Sequence, residues 1–199
     1  MRAFDRKNNK GFTLVELIVV VAIIAILGTG IGLSYSKVSR AGVKSAAQEV
    51  KALVSECRVA QMSRAGEFIA DIFIDSSDGA IHGRILKDGV PDLSAISSSE
   101  KKFARVGVSI DVDIPAASGG TSTTTSLSSG DHLYLAFNRA SGRLTTCYTG
   151  TALDATKNGN LTSAGITGNV VVKVHQGNYV YDVVIHSLTG SQEMKLETL

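Results

Sequence analysis

Between Leu17 and Ser36 the chain runs for twenty residues without a charged side chain. At about 1.5 Å of rise per helical residue, that is the length that crosses a bilayer core of roughly 30 Å. Ahead of the run, residues 1–11 carry Arg2, Arg6, Lys7 and Lys10 against Asp5. A basic leader with no comparable cluster directly after the apolar run predicts a cytoplasmic N-terminus and an exported C-terminal part. A secretory signal peptide has the same charge pattern, but with a shorter apolar core that ends in a small-x-small cleavage site. The segment "ILGTGIGLSY" has no Ala-x-Ala site, although Gly28 and Gly30 keep cleavage there open as an alternative.

Glu16 stands at the head of this run, in "TLVE". One reading is a capping box, with Thr13 accepting from the first helical turn and Glu16 reaching back to the N-cap amide. A carboxylate there also meets the positive end of the helix dipole, worth about 0.3 to 1 kcal/mol. The other reading places the acid in lipid, where an unpaired carboxylate costs at least about 2.5 to 3.5 kcal/mol and requires a cation. The order of features, a short basic leader ending in Gly11, then Phe12, then Glu16 four residues on, then an unbroken apolar run, resembles the class III signal of type IV pilins and type II secretion pseudopilins. That resemblance implies that a prepilin peptidase cuts between Gly11 and Phe12 and methylates the new Phe12 amine. It also implies that Glu16 pairs with the amine of a neighbouring subunit, a cation that methylation preserves.

Beyond the apolar run, Val43, Ala46, Ala47, Val50, Leu53, Val54, Cys57 and Ala60 recur at the three-and-four spacing of one helical face. No proline interrupts residues 12–65, so the spacing predicts one long helix, apolar all round in its first half and amphipathic in its second, with Gly66 as its stop. From Glu67 the period becomes two. Strands are expected at 67–74, 80–86, 105–112, 132–138, 142–147, 169–175 and 179–186, with hairpin turns at "RASG" and "QGN". The expected fold class is α+β, a long N-terminal helix packed on a C-terminal antiparallel β head. Its expected divisions are a removed leader 1–11, a transmembrane and assembly half 12–36, an amphipathic half 37–65 and a β-rich head 66–199. Residues 116–130, "AASGGTSTTTSLSSG", read as an exposed mobile loop. The segments "ECRVAQMSRAGEF", "FNRASGR" and "YVYDVVIHSLTG" are similar to the minor-pseudopilin branch.

Residues 66–199 hold ten basic and fourteen acidic groups, net −4, a charge that repels polyanions and argues against nucleic-acid binding by the head. The tail "QEMKLETL" adds to that sign. Cys57 and Cys147 have no metal spacing. They are either two packed thiols or, with the head exported, one disulfide. His82, His132, His175 and His186 are scattered through strands without an HExxH pair, and no GxSxG turn accompanies them. "DSSDG" at 75–79 and "DVD" at 111–113 lack the oxygen-ligand run of a calcium loop, and the first reads as a hairpin turn. No enzyme, metal or cofactor is expected. The reading is a structural minor pilin or pseudopilin of a pilus or secretion pseudopilus, with the head outside the inner membrane. The resemblance implies as partners the prepilin peptidase, other pilin subunits, an inner-membrane assembly platform and, before assembly, membrane lipid. The alternative is a secreted or membrane-anchored ligand-binding β-domain that uses its N-terminus only for export.

Overall fold

The computed structural model describes residues 12–87, 100–105, 107–115, 122–151, 166 and 168–198, without the side chains of 27–38 and 198. The leader and the 116–121 part of the expected loop lie outside the described residues. One helix, α1 (Leu14–Ser63), precedes β1 (Phe68–Ile74), β2 (Ile81–Lys87), β3 (Lys101–Lys102), β4 (Ser109–Ile114), β5 (Thr123–Ser126), β6 (His132–Phe137), β7 (Leu144–Gly150), β8 (Val170–Gln176), β9 (Tyr179–Ile185) and β10 (Gln192–Thr198). The strands form two five-stranded sheets of order β3-β2-β1-β6-β7 and β10-β9-β8-β4-β5. Every pairing is antiparallel. The chain is thus α+β. It divides into two compact units, residues up to Val38 and Ser39–Leu199.

In the second unit, all eight residues of the amphipathic stripe from Val43 to Ala60 are buried. They join one core with the inner faces of both sheets, among them Ala70, Ile72, Leu133 and Leu135 of the first and Ile110, Val172, Val174 and Ile185 of the second. Burying such a stripe supplies most of a helix's stability in a protein, since propensity alone is weak. The helix is tied down at its end. Buried Gln61 accepts the Phe68 amide at 2.7 Å, and Gly66, with φ 117°, turns the chain towards β1. The two sheets are joined where the Leu144 amide donates to the Ser187 carbonyl at 3.0 Å. Arg58 of the helix donates through Nε to the Gly142 carbonyl at 3.1 Å beside that point.

Both expected hairpins form. The Asn138 amide donates to the Arg143 carbonyl at 2.8 Å across the first turn, and Gly177 takes φ 58° in the second. Asp75 and Asp78 close the β1–β2 turn by accepting the Ser77 and Ala80 amides. Three expectations need correcting. The strand placed at 105–112 begins only at Ser109, because Gly107 at φ 96° breaks the extended backbone before it. Residues 123–126 of the expected mobile loop are instead edge strand β5, paired with β4, and β-branched threonines suit that pleated edge. The tail is edge strand β10, whose Met194 packs against the core and whose Glu193, Lys195 and Glu197 alternate with it.

Candidate functional site: the N-terminal helix segment

The helix begins at Leu14 because Thr13 caps it. Thr13 Oγ1 accepts the Glu16 amide at 3.2 Å and its carbonyl accepts the Leu17 amide at 3.2 Å. The reciprocal half of a capping box is missing among the described residues: the Glu16 carboxylate is exposed and has no partner there. The cap therefore uses the backbone of Glu16 and leaves its charge free for another role.

Among the described residues, the surface from that charge to Ile26 is apolar. Phe12 is 81% exposed, and Leu14, Val15, Leu17, Ile18, Val19, Val20, Val21, Ile23, Ile24 and Ile26 are exposed with it. An apolar surface of this extent marks a segment meant for lipid or for other proteins. The structure does not show the expected transmembrane span. Among the described residues no helix is long and apolar enough to cross a membrane.

Away from this segment, the two cysteines are free thiols in this structure. Burial pushes each thiol up to about 12, with the Ala70 backbone pulling Cys57 partly back. Neither is a nucleophile at neutral pH. The outer face of the second sheet alternates Asp111, Lys173, Asp182 and Lys195 across four paired strands. It is a face of mixed sign, with the Lys173 amine held above its usual range mainly by its hydrogen bond to Asp113.

Reading the histidines as isolated strand residues missed their partners. Each of the four faces a carboxylate: His132 Nδ1 lies 2.8 Å from Asp71, His175 3.1 Å from Asp111, His186 3.4 Å from Glu193, and His82 lies between Asp78 and Glu100. Asp71 is fully buried on the outer face of the first sheet and also receives Arg84 Nε at 2.8 Å. The Arg84 guanidinium lies over the Phe73 ring, 4.6 Å from its centroid. The signal for this network was the charged Asp71 inside "FIADIFI", since a buried carboxylate needs a partner.

Residues 6–32 match the family model described as the prokaryotic N-terminal methylation motif. The match covers the end of the leader, Gly11, Phe12, Glu16 and most of the apolar run. The chain therefore carries a class III signal, the signal of the type IV pilin and pseudopilin class. The motif indicates a pilin-like protein that prepilin peptidase processes and that assembles with other pilins. No curated protein and no solved structure matches the chain.

Proposed function

We propose that the chain is a structural subunit, a minor pilin or pseudopilin, of a type IV pilus or type II secretion pseudopilus. Prepilin peptidase removes residues 1–11 by cutting between Gly11 and Phe12, and Phe12 receives the N-methyl group. Residues 12–36 hold the subunit in the inner membrane, N-terminus inside, and later pack in the filament. Residues 37–65 carry the head, 66–199, outside that membrane. The observation that carries this reading is one carboxylate, Glu16, at the start of an apolar segment exposed on all sides, within the matched motif.

The chemistry follows from the cost of that charge. In lipid or in a bundle of apolar helices the Glu16 carboxylate needs a cation, and the Phe12 amine of an adjacent subunit supplies one. The pairing sets the axial position of one helix against the next, while apolar packing supplies the bulk of the attraction. An inner-membrane platform would drive extraction from the membrane. Glu16→Gln tests this directly, because it keeps the backbone amide that Thr13 caps and removes only the charge. The variant is expected to be cleaved and methylated yet absent from sheared filaments. Incorporation at the wild-type level would refute charge pairing.

A further inference from the structure

Three segments bring metal-ligating side chains together at the end of the first sheet: Asp75 from the β1–β2 turn, His82 from β2, and Glu100 just before β3. Their donor atoms all lie within 4.8 Å of one another, and each residue is half-buried. The arrangement is independent of the N-terminal segment and of the assembly reading.

The surroundings of the His82 ring show how the cluster is built. His82 Nε2 lies 3.3 Å from Asp78 Oδ2. That oxygen also receives Lys102 Nζ at 2.6 Å, and the Ala80 amide donates to Asp78 Oδ1 at 2.9 Å. Asp78 is thus fixed beside Nε2 by Lys102 and the Ala80 amide. Nδ1 faces Glu100 Oε1 at 2.6 Å, and it is buried without a hydrogen-bond partner of acceptable geometry. A buried ring nitrogen that close to a carboxylate oxygen, with no hydrogen bond between them, would be satisfied by a cation held against both. Asp75 supplies a third donor, its carboxylate also accepting from the Ser77 amide, at 2.8 Å to Oδ1, and from the Ser77 side chain. Arg84 Nη1 lies 3.7 Å from Glu100 Oε2, the oxygen that does not face the imidazole.

We propose that Asp75, His82 and Glu100 bind a divalent transition-metal ion of the zinc type, with Asp78 as the outer carboxylate that orients the imidazole. One imidazole nitrogen and two carboxylate oxygens suit a borderline cation such as Zn²⁺. Calcium, which takes six to eight oxygens, is disfavoured by the nitrogen and by the small donor count. A carboxylate on the far ring nitrogen is the usual support of a metal-bound histidine. Three protein ligands leave a fourth position for water or for a side chain from a partner. The similar contact of His175 with Asp111 has no third donor among the described residues and makes no such site.

The test uses the untagged, full-length processed protein in detergent, stripped with chelator and titrated calorimetrically with Zn²⁺ alone, with Ca²⁺ in parallel. One equivalent of Zn²⁺ is expected to bind, to raise Tm, and to be reversed by chelator, with no Tm rise from the same concentration of Ca²⁺. His82→Asn and Glu100→Gln should each weaken zinc at least tenfold, Asp78→Asn by about tenfold as an outer partner, and His186→Asn not at all. Failure of the folded wild-type protein to take up zinc overturns the proposal whatever the variants do. So does uptake that survives in His82→Asn, or a Ca²⁺ response equal to that of Zn²⁺.

Discussion

Replacing Asp71 with Ala should be among the most damaging single changes in the head. Asp71 is fully buried and holds Arg84, whose side chain is only 7% exposed, and His132, each at 2.8 Å. Removing the carboxylate leaves the guanidinium with only the half-buried Glu100, 3.7 Å away, as counter-charge, and breaking a buried pair from one side costs about 3 to 5 kcal/mol. Against a typical folding stability of about 5 to 15 kcal/mol, that is a large fraction. With a urea dependence of about 2 kcal/mol per molar, the midpoint should fall by about 2 M. The assay is equilibrium urea unfolding, followed by circular dichroism, of the fragment Ser39–Leu199, one compact unit whose main core begins at Val43. Asp71→Leu combined with Arg84→Met removes both charges and should recover most of the loss, since an apolar pair of similar size is often as stable as a buried ion pair. A loss below about 1 kcal/mol for Asp71→Ala, or a double variant as unstable as the single, would show that the pair is not holding the sheet face as described.

Gly83→Ala should destabilise by about 1 to 3 kcal/mol, because a methyl there would overlap the Phe103 ring and press on Leu53 of the helix. Thermal melts that leave Tm unchanged would mean that Phe103 can move aside freely. The Asp78 carboxyl lies at about 2, held down first by Lys102, then by the Ala80 amide and His82. A carboxyl depressed on folding stabilises the fold above its unfolded value, near 4, and that contribution is lost as pH falls through about 2. Lys102→Met should move the carboxyl's NMR titration midpoint back up towards 4. A midpoint that stayed near 2 would assign the shift to the turn amide instead.

Local pattern carried much of the fold. The spacing of Val43, Ala46, Val50, Leu53, Val54 and Cys57 places them on one buried face in any helix, and the apolar runs "NVVVKVH" and "YVYDVVIH", each broken by one charged residue, Lys173 or Asp182, mark strands whose charged positions face outward. The elements that were missed have weak local signals: β3 is two lysines, β5 is a threonine run that also suits a loop, and β10 alternates charge with Met194 and Leu196 in a segment read as a tail. Their strand character comes from pairing with a neighbour, which no local pattern records. The carboxylate partners of the histidines depend on register in the same way. Asp71 meets Arg84 only because β1 and β2 pair with those two residues opposite each other. At the N-terminus the motif was legible because its residues are contiguous. The structure added that Thr13 caps through the Glu16 amide and leaves the carboxylate free.

The most direct test of the central proposal is the intact mass and N-terminal fragment spectrum of the protein from membrane and sheared-surface fractions of native cells. A chain that begins at Phe12 and carries one added methyl group is expected. A chain that still begins at Met1, or one cut near Gly30, would contradict the proposal and make the N-terminal segment an ordinary export signal or anchor.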